Sequence, residues 1–273
     1  MGCLVPHAPI LIPEIASQEN ATSLISATTE SLRKITDSAK KHAPDTIVIL
    51  YPPHLHLLSP YGFSIEVETR ERPSSRYHEL EKIAFGSPDE LLIDSIVELA
   101  TTRGLDVKKE PHRGENDWGQ IVPLYFVGGC AQKLVSIPVS PNLSLVEHYL
   151  LGISIKEAAE TTGTKVLLVA SGDMSHRLRG SHYGYHPSGE KFDQAILKII
   201  DSGKFKEVFE LDPQVVEDAG QDSLWSISVL FGAFDGYLVE SKVLSYEAPF
   251  GIGYMVAVVT PIEPDESRKI DLK

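Results

Sequence analysis

Apolar and polar positions alternate in blocks along the chain, and the blocks predict strands and helices in turn. Gly2 to Val5 is a short apolar run stopped at Pro6. Ser17 to Ala43 reads as a long amphipathic helix, with Leu24, Ile25, Leu32 and Ile35 near helical spacing. "DTIVILYPPH" predicts a buried strand, Thr46 to Tyr51, ended by Pro52 and Pro53. Phe63 to Val67 is a further strand candidate, followed by a loop at "RERPSSRYHE". Leu91 to Arg103 predicts a helix that stops at Gly104. "GQIVPLYFV" fits a helix start or a strand, and its pattern does not separate them. "KLVSIPVS" predicts a strand, Leu145 to Thr162 a helix ended by Gly163, and "KVLLVASGDMSH" an apolar strand that runs into a polar loop. Two helices follow, around Glu190 to Ser202 and Leu224 to Phe234. "KVLSYE" and "GYMVAVVTPI" close the pattern as two strands around a Gly-rich turn.

Alternating helices and fully apolar strands imply an α/β fold: one domain with a mixed, mostly parallel central sheet covered by helices on both faces. The expected domain is 1–262, and 263–273 is a polar tail expected to fray. In such sheets ligands bind outside the carboxyl ends of the strands. The residues just after each strand are therefore the first place to look for chemistry.

Composition narrows the partners. The 273 residues carry a formal net charge of −13, which argues against binding nucleic acid or an anionic membrane surface. Two cysteines, Cys3 and Cys130, cannot build a disulfide framework. No stretch approaches the ~18 apolar residues of a membrane span. The first fifteen residues hold three prolines and no basic segment, unlike a signal peptide, so a cytoplasmic location is expected.

The strand ends carry a recurring chemistry. His7 follows the first strand, and His54 and His56 follow the second. Asp173 and His176 follow the Val166–Ala170 strand, and Glu247 lies in the closing hairpin. Two histidines and a carboxylate on one face of a divalent metal leave positions open for substrate and O₂, and Zn²⁺ accepts the same donors. On spacing alone, a metal site and a set of turn residues stand about even. Glu217, Asp218 and Asp222 form an acidic cluster that reads as a solvated helix start.

At these residues the sequence resembles the LigB-type class III extradiol dioxygenases, and most closely the dioxygenase-like domain of the AmmeMemoRadiSam system, related to Memo. The stretches that carry the likeness are "LVPHAPILIPEI", "DTIVILYPPHLHL", "SGDMSHRL", "YGYHPSGEKFD" and "LSYEAPFGIGYMVA". The resemblance implies His7, His54 and Glu247 as metal ligands, with His56 the competitor of His54. It implies His176 as acid/base, with Asp173 orienting it or bonding a ligand histidine. Histidine's ordinary pKa, about 6.5, suits proton transfer near neutrality.

One position departs from the family pattern. Many members place Asp-His-Gly before a Val-Pro-Leu stretch, whereas "NDWGQIVPL" puts Trp118 where that histidine would be, with His112 a few residues earlier. Trp118, His112, His56, Tyr183 and Tyr185 are the expected substrate-pocket residues. The implied function is an Fe(II)-dependent extradiol dioxygenase acting on a catechol-type aromatic with O₂. The alternatives are a Zn(II) hydrolase-type enzyme on the same ligands, or a Memo-like metal-binding interaction protein. A homo-oligomer and association with AmmeMemoRadiSam components are the expected partnerships.

Overall fold

The computed structural model describes residues 1–16, 23–54, 62–67, 86–111 and 117–271. In chain order the elements are β1 (Gly2–Val5), α1 (Ser26–His42), β2 (Thr46–Tyr51), β3 (Phe63–Glu66), β4 (Ser87–Pro88) and α2 (Glu90–Thr102). Next come β5 (Val107–Glu110), α3 (Trp118–Val127), β6 (Lys133–Pro138), α4 (Leu145–Thr162) and β7 (Val166–Ser171). The chain ends with α5 (Pro187–Ser202), α6 (Pro213–Ala219), α7 (Leu224–Gly232), β8 (Tyr237–Glu247) and β9 (Tyr254–Pro264).

All described strands join one sheet in the order β5-β3-β6-β2-β7-β1-β9-β8, with β4 beside β6. The central run β6-β2-β7-β1 is parallel, and β9 and β8 are antiparallel additions at one side. β1 and β2 are buried along their whole length because both sheet faces are covered. Side chains alternate across the sheet. Cys3, Val5, Ile47, Ile49, Leu167 and Val169 join one core with Leu32 and Ile35 of α1 and Val122 of α3. Leu4, Val48, Leu50, Leu168 and Ala170 join the other with residues of α2, α4, α5 and α7.

Local signals explain the ends of several elements. Ser144 and Glu147 form a reciprocal capping box at the start of α4, and Gly163 ends it at φ 67°. "GQIVPLYFV" is helical: Asp117 caps α3, and the segment is apolar because it is buried nearly all round. β5 was not anticipated, since only Val107 of "VKKE" is buried. The polar stretch at the end of the chain is tied down. Arg268 Nη1 donates to the Gly203 carbonyl at 3.0 Å, and the Ile270 N–H donates to Asp235 at 2.8 Å.

Candidate metal centre

The carboxyl ends of β1, β2 and β7 are neighbours because these strands are parallel and adjacent. Each ends in a polar loop, so His7, His54 and Asp173 emerge on one edge of the sheet. Pro6 and Pro9 flank the His7 turn and restrict its backbone. The His7 N–H donates to Asp173 Oδ1 at 3.0 Å, and the Gly172 N–H to the Val5 carbonyl at 3.1 Å.

The loop between α6 and α7 supplies the third group. Gly220 ends α6 at φ 59°, and the chain then crosses beside Gly172. A Cβ on Gly172 would lie 2.4 Å from Ser223 Cα, so only glycine permits this approach. The Asp173 N–H donates to Asp222 Oδ1 at 2.7 Å, which leaves Oδ2 for the cleft. That oxygen lies 3.3 Å from His7 Nε2, 3.6 Å from His54 Nε2 and 4.0 Å from His176 Nε2.

His7, His54 and Asp222 each offer a donor atom within 4.8 Å of the others. The remaining ring nitrogens are engaged elsewhere. His7 Nδ1 lies 3.1 Å from Ser171 Oγ, and His54 Nδ1 lies 2.7 Å from Asp117 Oδ1. Both imidazoles therefore present Nε2 to the same point. Two donors about 2.1 Å from one ion lie roughly 3.0–3.4 Å apart; the 3.3 Å spacing falls in that range and the 3.6 Å spacing just beyond it, so a small inward shift of His54 would close the set on a divalent cation. The donor set fits one as well: imidazole nitrogen and carboxylate, with room for further ligands.

The electrostatics point the same way. Burial alone would lower the pKa of His7, but the Asp222 and Asp173 carboxylates outweigh it and raise it. Burial likewise opposes charge on His54, yet its bonds to Asp117 and Asp222 push it up to about 10. Burial would raise Asp222, but the charges and hydrogen bonds of His7 and His54 hold it well below the carboxylate range. Asp173 is raised by burial. The cleft is thus a pocket of negative potential built to hold positive charge.

Glu247, the expected third ligand, is elsewhere. Its carboxylate accepts the N–H groups of Ala27 and Thr28 at 3.3 and 2.7 Å and the Thr28 hydroxyl at 2.6 Å. It caps α1, whose own N-cap residue Ile25 provides no side-chain bond. What the closing hairpin brings to the cleft is its turn. Gly253 N–H donates to the Ser175 carbonyl and accepts from Met174 N–H through its own carbonyl, both at 2.9 Å. The likeness of "SYEAPFGIGY" to the family thus marks a turn packed on the site loop, with Asp222 standing where Glu247 was expected.

The other expected residues divide. His176 faces the cleft, and its Nδ1 lies 2.9 Å from the Gly220 carbonyl. A carbonyl only accepts, so Nδ1 carries a proton, and in the neutral ring Nε2 carries the lone pair. Asp173 orients the main chain of His7 rather than the ring of His176. Tyr183 stands edge-on to the His176 ring at 5.5 Å and is 58% exposed, at the rim. Tyr185 packs under the Arg179 guanidinium at 4.8 Å. Trp118 is the first residue of α3 and is a half-buried ring packed against the core on the α1 and α3 side of the sheet. His56 and His112 lie outside the described residues.

Fold and site together define an α/β protein with a candidate metal centre of two histidines and one carboxylate at the carboxyl edge of a parallel sheet. Residues 1–257 match the family described as the catalytic LigB subunit of aromatic ring-opening dioxygenase, and the chain belongs to that family. It is 32% identical to Protein CA_C1420 of Clostridium acetobutylicum over 99% of its own length but spans only 59% of that relative. It is 28% identical to the MEMO1 family protein PF1638 of Pyrococcus furiosus, over 77% of this chain and 71% of that one. In fold it is similar to the crystal structure of uncharacterized protein JW3007 from Escherichia coli K12, with a TM-score of 0.55 at 15% identity. That likeness covers 82% of this chain and 91% of the other. Among the described residues no helix is long and apolar enough to cross a membrane.

Proposed function

We propose that the chain is a non-haem, divalent-metal oxidoreductase of the extradiol dioxygenase type, with Fe(II) held by His7, His54 and Asp222 and a small catechol-like aromatic as substrate. The observation that carries this reading is the position of Asp222 Oδ2, 3.3 and 3.6 Å from the Nε2 atoms of two histidines. Membership of the LigB family supports it. A bound Fe(II) would supply Lewis-acid polarisation of the substrate oxygens and electrons for O₂ chemistry.

The chain's own residues do the rest. His7 and Asp222 are held by Asp173, which accepts from the His7 main chain and donates its own N–H to Asp222. His176, with its lone pair at Nε2 facing the cleft, takes a proton from a substrate hydroxyl as the substrate enters. Tyr183 bounds the side of His176 and offers an aromatic edge to a planar ligand.

A second reading is favoured by Trp118. It puts an apolar ring where many family members carry a histidine, and so removes a group for proton transfer. Together with the MEMO1-family relative, this supports a protein that holds metal without ring-cleaving turnover.

Anaerobic purification with metal analysis, then O₂ uptake against a panel of catechols, separates the two. Stoichiometric Fe(II) with substrate-dependent O₂ consumption, lost in His176→Ala while the metal stays, is the expected result. Bound Fe(II) with no O₂ consumption on any catechol would favour the second reading, and loss of metal in His176→Ala would overturn the assigned roles.

A further inference from the structure

The two ligand histidines are held in different ways, and the difference points to a residue outside the donor set. His7 is 3% exposed and is fixed by packing, by its prolines and by the neutral Ser171 hydroxyl. The His54 side chain is 38% exposed at the exit of β2, with its ring edge-on to that of His7 at 4.8 Å. Among the described residues, one side chain bonds both its ring Nδ1 and its main chain. Asp117 is fully buried, accepts the His54 ring at Nδ1 through Oδ1 at 2.7 Å, and accepts the His54 main-chain N–H through Oδ2. Oδ1 also accepts the Gly119 N–H at 2.8 Å, so the same carboxylate caps α3.

We propose that Asp117 is the positioning residue that makes His54 a metal ligand, by clamping its ring and main chain against the start of α3 so that Nε2 alone is offered to the ion. The inference rests on the metal reading above. An ionised carboxylate has no proton to give, so the shared proton sits on Nδ1, and the tautomer with a lone pair at Nε2 is enforced. A charged acceptor on the far N–H also makes the imidazole a stronger donor, an effect a serine hydroxyl supplies only weakly. Asp117 itself contributes no donor to the His7–His54–Asp222 group. It sits immediately before Trp118, so one short segment holds both the clamp and the departure from the family pattern.

The test uses the full chain and Zn(II) as a redox-silent probe. Asp117→Ser keeps a good N-cap for α3 but cannot reach the ring as a charged acceptor. Asp117→Asn keeps the shape without the charge. Relative to wild type, Zn(II) affinity by chelator competition should fall about 10–100-fold in Asp117→Ser, with Asp117→Asn in between and Ser171→Ala affected least. Circular dichroism and the metal-free melting temperature establish that each variant is folded at the assay temperature, which separates this effect from misfolding. In ¹⁵N-histidine spectra of the zinc-loaded protein, the His54 Nδ1 proton should be protected in wild type and exchange rapidly in Asp117→Ser. Unchanged zinc affinity and an unchanged Nδ1 signal in Asp117→Ser would overturn this proposal alone. Failure of wild type to bind zinc or iron at all would instead bring down the metal reading, and this one with it.

Discussion

At the scale of single residues, two buried titratable groups outside the His7–His54–Asp222 set give opposite pH slopes. His148 on α4 is 0% exposed, donates from Nδ1 to the Ser144 carbonyl at 2.8 Å and accepts the Ser140 N–H at Nε2. That pairing needs the neutral ring, and burial lowers its pKa from 6.5 to about 4. The unfolded chain takes up the proton first on acidification. Its contribution is therefore full above pH 6.5 and is lost as pH falls towards 4, by up to ~3 kcal/mol. Asp193 runs the other way. Burial raises it from 3.8 to about 6, although the bonds it accepts from the Tyr246 hydroxyl and the Ser175 N–H favour the ionised form. Its contribution is present below pH 4 and is lost as pH rises through 6. Urea unfolding between pH 4 and 7 should show His148→Gln losing less stability than wild type on acidification. Asp193→Asn should gain relative to wild type as pH rises. Parallel curves for all three proteins would refute both assignments.

The same scale shows where the sequence ran out. His7, His54, Asp173 and His176 were legible because each directly follows an apolar strand, and the strand end fixes where such a residue emerges. Asp222 was not, because it follows a short helix inside an acidic cluster that reads as solvated. A signal was nonetheless present. "LWSISVLFG" just after it is apolar all round, and a helix buried on every side must begin inside the protein. The residue two positions before that helix is therefore set against the core and not in bulk water.

At the scale of elements, Glu247 and α1 illustrate how a carboxylate among apolar neighbours finds its partner. Helix α1 starts without a side-chain cap of its own, which leaves N–H groups at its first turn unpaired within the helix. Glu247, at the end of β8, supplies the acceptor from 219 residues away and places negative charge at the positive end of the helix dipole. A half-buried carboxylate beside Tyr246, Ala248 and Phe250 needs such a partner. Sequence could not say whether the partner was a metal or a helix end, because β8 pairing sets that. Glu247→Ala should destabilise the fold by ~1–2 kcal/mol, in the range for a lost cap, and Glu247→Gln by less, since one carbonyl oxygen remains. Both variants should keep the wild-type affinity for Zn(II). A loss of metal in Glu247→Gln without loss of stability would restore Glu247 as a ligand and displace Asp222.

At the scale of the whole molecule, the sheet order is what makes a site out of distant residues. β2, β7 and β1 are adjacent and parallel although β7 begins 115 positions after β2 ends, so their loops open on one edge. The alternating pattern of the sequence made this architecture legible in outline, including the antiparallel closing pair. It did not show that the turn of that pair would pack on the loop after β7 while its carboxylate turned to α1. A centre assembled from three separated loops binds an ion only when all of them are in place, so the ion stabilises the native state as a whole. Free metal at about a hundred times Kd adds ~2.7 kcal/mol by mass action, and at this chain length that moves the melting temperature up by roughly 5–10 °C. Wild type and Glu247→Gln should show the shift with Zn(II), the latter from a lower starting point. Asp222→Asn and His7→Ala should show little of it, since the first removes the ligand carboxylate's charge and the second a ring nitrogen, while the sheet and both cores stay intact. An equal shift in Asp222→Asn would mean that the ion sits elsewhere, and that the convergence of the three loops serves some purpose other than holding it.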